Sequence, residues 1–148
     1  KTRIWVDADA SPRPVKEILY RASERTQTLV TFVANQPLEV PRSSFITVVK
    51  VGSGFDVADQ YIVSHVRKGD IVITQDIPLA AELVAKGCLV LSPRGEKFSE
   101  EDVRQRLNMR DFMESLRSSG VSTGGPDVFS DKDRMSFANA LDRALAQI

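Results

Sequence analysis

The stretch Ile71-Val72-Ile73-Thr74-Gln75-Asp76-Ile77-Pro78-Leu79-Ala80-Ala81-Glu82-Leu83-Val84-Ala85-Lys86-Gly87-Cys88-Leu89-Val90-Leu91 holds the plan of the chain in miniature. Its ends are apolar triplets too short for helices. Between them Leu79, Ala80, Leu83 and Val84 recur at helical spacing from Pro78 to Lys86, and Gly87 supplies a stop. The same alternation continues outward. Ile4-Trp5-Val6, Leu29 to Val33 and Ile46 to Val49 are further short runs rich in β-branched residues. Pro14 to Arg25 carries Val15, Ile18, Leu19 and Ala22 on one face, and Asp56 to Val66 carries Val57, Ala58, Tyr61, Ile62 and Val66. Near-continuous apolar strands alternating with helices predict a mainly parallel sheet covered on both faces, a three-layer α/β/α architecture.

The last third turns helical and more charged. Ser99, followed by Glu100, Glu101 and Asp102, predicts a capped helix running toward Leu107. Met109 to Leu116 predicts a second helix, Ser118 to Pro126 a loop, and Ser130 the cap of a final helix through Ala146 with Phe137, Ala138, Leu141 and Leu145 on one face. No repeat or long low-complexity linker interrupts the chain, so residues 1–148 are expected to form one domain.

Composition narrows the classes. A chain of 148 residues, 42% hydrophobic and 27% charged, buries roughly 70% of its unfolded surface and needs no disulfide or structural metal to fold. Its single cysteine, Cys88, allows no disulfide or multi-cysteine zinc site within the chain. No apolar run approaches the roughly 18 residues of a membrane span, and the amino terminus lacks signal-peptide order, so a cytoplasmic location is expected. Twenty basic residues cancel 20 acidic ones, which argues against a general electrostatic grip on nucleic acid but not against a local basic patch.

The placement of aspartates carries the chemistry. In open α/β sheets ligands bind beyond the carboxyl ends of the strands. Asp7 and Asp9 follow the first strand and, in extended chain, would point the same way. Asp76 closes the strand Ile71-Val72-Ile73, and Asp56 and Asp59 open the helix after Gly52-Ser53-Gly54. Five aspartates are therefore expected to converge on one rim. Crowded carboxylates either take up protons or are held ionised by a cation, and a hard ion such as Mg²⁺ or Mn²⁺ accepts a few carboxylates plus phosphate oxygens. Phosphodiester hydrolysis is the natural reaction. Asp56 and Asp76, each taken singly, fit helix capping better than catalysis, whereas Asp7 and Asp9, flanking a buried central strand, need a partner or a cation to offset desolvation.

Specific blocks carry a resemblance: Trp5-Val6-Asp7-Ala8-Asp9-Ala10-Ser11-Pro12, Val33-Ala34-Asn35-Gln36, Ser53-Gly54-Phe55-Asp56-Val57-Ala58-Asp59, Thr74-Gln75-Asp76-Ile77-Pro78-Leu79-Ala80, Ser92-Pro93-Arg94-Gly95, Met109-Arg110-Asp111-Phe112-Met113 and Thr123-Gly124-Gly125-Pro126. Over nearly its whole length the chain resembles the bacterial YaiI/YqxD family, also called UPF0178 or DUF188. That family is grouped by resemblance with PIN-like domains, metal-dependent ribonucleases of α/β/α architecture. The resemblance implies metal-holding roles for Asp7, Asp59 and Asp76, with Asp9 and Asp56 as added ligands or orienting groups. Family members usually carry Cys where this chain has Ser11, so thiol chemistry is unavailable here, although a hydroxyl can still donate to a phosphate.

The expectation is an Mg²⁺- or Mn²⁺-dependent nuclease acting on RNA, with Asp7, Asp9, Asp59 and Asp76 as catalytic acids and Ser11, Asn35 and Arg94 contacting phosphate. Two alternatives stand beside it. Asp7-Ala8-Asp9 also fits a haloacid-dehalogenase-type phosphatase with Asp7 as nucleophile and Asp9 as acid/base, although the chain is short, Ser11-Pro12-Arg13-Pro14 leaves no room for a flap, and no later lysine is clearly placed. The other is a non-catalytic domain that binds metal or a partner. Ser122-Thr123-Gly124-Gly125 resembles a backbone anion nest but fits a plain loop as well. His65 is expected at a helix end without a catalytic partner, and Cys88, Trp5 and the late phenylalanines in the core. Arg104, Arg106, Arg110 and Arg117 fit a solvated helical face better than an RNA path.

Overall fold

The computed structural model describes residues 2–54, 56–108 and 128–147. The short apolar runs become β1 (Ile4–Asp7), β2 (Val30–Ala34), β3 (Ile46–Lys50), β4 (Ile71–Ile73) and β5 (Leu89–Leu91), and the periodic stretches become α1 (Arg13–Thr26), α2 (Val57–His65) and α3 (Ile77–Ala85). Residues 100–108 form α4, and α5 spans Asp131–Ala146, opened by a reciprocal capping box between Ser130 and Asp133. A two-residue strand, β6 (Lys97–Phe98), runs antiparallel to β5. So short a strand has no periodicity for a sequence to display. The expected helix Met109 to Leu116, the loop Ser118 to Pro126 with its Thr123-Gly124-Gly125 segment, Arg110 and Arg117 lie outside the described residues. No helix among the described residues is long and apolar enough to cross a membrane.

The sheet order is β3-β2-β1-β4-β5-β6, with β1 to β5 all parallel. From β1 the chain winds outward through β2 to β3, then returns to the other side of β1 for β4 and β5. The winding reverses between β1 and β4, which makes their carboxyl ends the topological switch point.

Strand alternation sorts the side chains into two cores. Ile4, Val6, Phe32, Ile71 and Ile73 face Val15 and Leu19 of α1 and Phe137 and Leu141 of α5. Trp5, Val33, Val72 and Val90 face the opposite layer, made by Ala58 and Ile62 of α2, Leu79 and Leu83 of α3 and Val103 of α4. The three-layer expectation holds. Each fully buried branched or aromatic side chain contributes roughly 1.5–3 kcal/mol of transfer free energy.

One acid escaped the sequence reading. Asp70, 4% exposed, lies at the amino end of β4, away from the switch point. Its carboxylate accepts from Trp5 Nε1 at 3.0 Å, Arg67 N at 2.9 Å and Arg3 N at 3.2 Å. Three donors offset the burial of that charge and tie the start of β1 to the turn after α2. His65 ends α2 as expected, exposed and stacked on Tyr61.

Candidate active site at the topological switch point

Asp7 ends β1. Alternation from Trp5 turns it toward the layer of α2 and α3, where it is 9% exposed. Among the described residues, one side-chain donor reaches its carboxylate: Thr74 Oγ1, 3.3 Å from Oδ2. That is thin compensation beside the three donors of Asp70. Burial pushes the Asp7 pKa up, the Thr74 bond pulls it partly back, and the charges of Asp9 and Asp76 raise it further.

Asp59 lies in the first turn of α2, half-buried. Its pKa is pushed up to about 7, first by burial, then by the charge of Asp76, by a hydrogen bond to Asp76 that only the protonated form makes, and by Asp7 and Asp56. Asp76 caps α3 by accepting from Leu79 N at 3.0 Å, so the capping role and the place on the rim belong to one side chain. Asp56 differs. It occupies the N-cap position of α2 without a side-chain cap bond, and its backbone is left-handed, with φ of 65°.

Asp9 departs from the extended-chain premise. Residues Ala8–Ala10 form a 3-10 turn, so Asp9 does not simply repeat the direction of Asp7. It is exposed, and its Oδ2 accepts from Asn35 N at 2.7 Å, which bridges the ends of β1 and β2. Asp7, Asp9, Asn35, Asp56 and Asp59 line a depression of about 250 Å³. A larger cleft of about 630 Å³ between α2 and α3 shares Asp56 and Asp59 and adds Asp76. The acids thus border two neighbouring hollows that share Asp56 and Asp59. Among the described residues, however, no three Asp, Glu, His or Cys side chains are gathered closely enough around one point to hold a metal ion as they stand.

The other expected contacts are placed differently. Ser11 is buried and its hydroxyl donates to the Asp7 carbonyl at 3.0 Å, bracing the exit from β1. Arg94 Nη1 pairs with Asp133 of α5 at 2.7 Å, and its guanidinium lies 5.8 Å from the Phe129 ring centroid. A phosphate at Arg94 would compete with that ion pair. Asn35 lines the depression beside Asp7 and Asp9.

Thr74 was missed as a functional residue. Fully buried, its Oγ1 donates to Asp7 and accepts from Asp76 N at 3.1 Å, joining the two strand ends. The position follows from register: Val6 pairs with Ile73, and Asp7 and Thr74 are the next residues along. The Thr-x-Asp spacing was visible in the sequence, but its partner across the sheet was not. Thr74→Val should destabilise the protein by about 1–2 kcal/mol, because Asp76 N loses its acceptor and Asp7 its donor. Chemical denaturation measures this directly.

Asp59 makes stability depend on pH. Its folded value lies above the 3.8 of an unperturbed aspartate, so the protonated state contributes stability that is complete below pH 4 and lost as pH rises through about 7. In metal-free buffer, Asp59→Asn should therefore be on the order of 1 kcal/mol more stable than wild type at pH 8, after allowance for solvent screening, with no such gain at pH 4. Urea melts at the two pH values check this.

A doubly wound α/β sheet with acids at the ends of β1 and β4 and in the first turn of α2 defines the class: a switch-point α/β protein with an acidic crevice. The family model described as "Uncharacterized BCR, YaiI/YqxD family" (DUF188) matches residues 5–147. A UPF0178 protein of Shewanella sp. strain MR-7 is 60% identical over 146 residues, covering 99% of this chain and 96% of the relative. A UPF0178 protein of Yersinia pestis strain Pestoides F is 57% identical over 145 residues, covering 98% and 95%. No solved structure matches. The chain belongs to the YaiI/YqxD (UPF0178) family.

Proposed function

We propose that the protein is a PIN-like nuclease of the cytoplasm that depends on Mg²⁺ or Mn²⁺ and hydrolyses phosphodiester bonds in RNA. The observation that carries this reading is that Asp7, Asp59 and Asp76, from three different elements, line two neighbouring hollows that share Asp59, at the switch point where sheets of this kind take their ligands. The donor chemistry suits a hard divalent ion, and the side chains would have to turn toward one another to hold it. The donors are all carboxylate oxygens, they repel one another without a cation, and Mg²⁺ commonly uses only one or two carboxylates together with waters and substrate oxygens. Such an ion, if bound there, would supply charge neutralisation at the phosphate and lower the pKa of an attacking water.

The chain's own residues do the rest. Asp7, Asp59 and Asp76 would hold the ion, with Asp56 beside them. Asp9, with Oδ2 fixed by Asn35 N, is set to orient water or substrate, and Asn35 stands where a phosphate would pass. Thr74 positions Asp7 against Asp76, so Thr74→Val should lower activity about tenfold, in line with the loss of other groups that orient metal ligands.

The test is a cleavage assay over mixed RNA and DNA substrates with Mn²⁺, Mg²⁺ or EDTA. Metal-dependent RNA cleavage that EDTA abolishes supports the proposal. No cleavage of any substrate by well-folded, metal-loaded protein refutes it. A phosphoryl group trapped on Asp7 would instead identify the phosphatase chemistry, and metal binding without turnover the non-catalytic role.

A further inference from the structure

We propose that the cleft between α2 and α3 seats one nucleobase of the substrate and that Gln60, Ser64 and Glu82 select bases bearing an exocyclic amino group over uracil. This deepens the nuclease reading and rests on it for the identity of the ligand.

The cleft is built from two helical faces, Gln60, Val63 and Ser64 on α2 and Pro78, Leu79 and Glu82 on α3. Its volume, about 630 Å³, lies within the range of small-molecule sites and accommodates a base with part of its ribose. One end is Asp59 and Asp76, so a base in the cleft lies beside the phosphate that those acids would address. Val63 and Pro78 offer apolar surface to the faces of a flat ring.

Charge argues for a base rather than a phosphate. No Lys or Arg is among the lining residues that the structure describes, and nearby Lys86 donates its ammonium to Val63 O at 2.6 Å. The polar groups present mainly acceptors. Ser64 Oγ donates to Gln60 O at 2.8 Å, which commits its proton and leaves its lone pairs. Glu82 is exposed and makes no ion pair among the described residues. A carboxylate accepts from the amino group of cytosine or adenine, whereas uracil would turn a carbonyl oxygen toward it. Gln60 can donate and accept, and so serves the ring nitrogen or carbonyl beside that amino group. A base stacked inside a duplex cannot reach such a cleft without leaving the helix.

The test separates the base site from catalysis by using nucleosides, which carry no phosphate to cleave. Cytidine and uridine are titrated to about 20 mM into ¹⁵N-labelled protein without metal. Cytidine should shift the amides of residues 60–64 and 79–82 and bind roughly fivefold more tightly than uridine, the lower end of a well-placed base contact. Glu82→Gln, a surface substitution, should remove that preference because its new N–H can serve a carbonyl oxygen. Equal binding of the two nucleosides, or no shift at these amides with either, overturns the proposal. In a parallel arm, wild-type protein is given cytidine-rich and uridine-rich RNA with Mn²⁺. Cytidine docking with no RNA cleavage supports the base site and defeats the nuclease reading. Cleavage with no base preference in wild type, unchanged in Glu82→Gln, keeps the nuclease and overturns the base site.

Discussion

Asp7→Asn is expected to lower metal-dependent RNA cleavage by about a thousandfold while leaving the fold intact, the scale on which removal of a central electrostatic group acts. Asp7 is the most buried acid of the crevice and stands at the centre of the switch point, between the end of β2 and the end of β4. An asparagine keeps an oxygen for the Thr74 hydroxyl, so the link between the two strand ends survives. It also removes a charge that burial disfavours, which makes the variant at least as stable as wild type at neutral pH. A loss of activity without a loss of stability is the signature sought, read by cleavage rate and thermal denaturation on the same sample. If Asp7→Asn cleaved RNA within a few-fold of wild type, the acid would have no part in the chemistry.

Gly95→Ala carries the largest expected effect on stability, about 3 kcal/mol. Gly95 sits at φ of 89° in the turn from β5 to β6, where its N–H donates to Ser92 O at 3.0 Å. A side chain there adds about 1–2 kcal/mol of left-handed backbone strain. The added carbon would also lie 2.5 Å from the Ser136 carbonyl carbon and oxygen and 2.8 Å from Phe137 N, all backbone atoms of α5. Such overlap costs a further 1–3 kcal/mol, roughly, as α5 is pushed from the sheet. The Arg94–Asp133 ion pair, 2.7 Å long, holds the same junction and restricts that movement. Thermal unfolding should show a fall of roughly 6–12 °C for a chain of this length. A fall below about 2 °C would mean that α5 yields without cost.

The parallel sheet was legible because its signal is local: triplets such as Ile71-Val72-Ile73 and a helical stripe such as Leu79, Ala80, Leu83 and Val84 need only their own neighbours to be recognised. The rim of acids was legible because strand ends of parallel strands share an edge. What stayed hidden depends on contacts distant in sequence. Thr74 acquires its role from Asp7, 67 residues earlier, and Asp70 from Trp5, 65 residues earlier. Arg94 points to Asp133, 39 residues later, a partner that no spacing rule names. Asp9 was misplaced by a three-residue turn, since Ala8 and Ala10 fit either extended or 3-10 backbone. Asp56 and Asp76 show both limits. Each could be a cap, and only the folded chain shows that Asp76 caps α3 while the Asp56 side chain makes no cap bond.

Mn²⁺ soaked into crystals of the wild-type protein and located by its anomalous scattering tests the central claim most directly. The expected result is a peak at coordination distance from the Asp7 carboxylate and from Asp59 or Asp76, with a side-chain rotation that draws those oxygens to the ion. No peak in the crevice at millimolar Mn²⁺, with the acids in the positions they hold without metal, would contradict it.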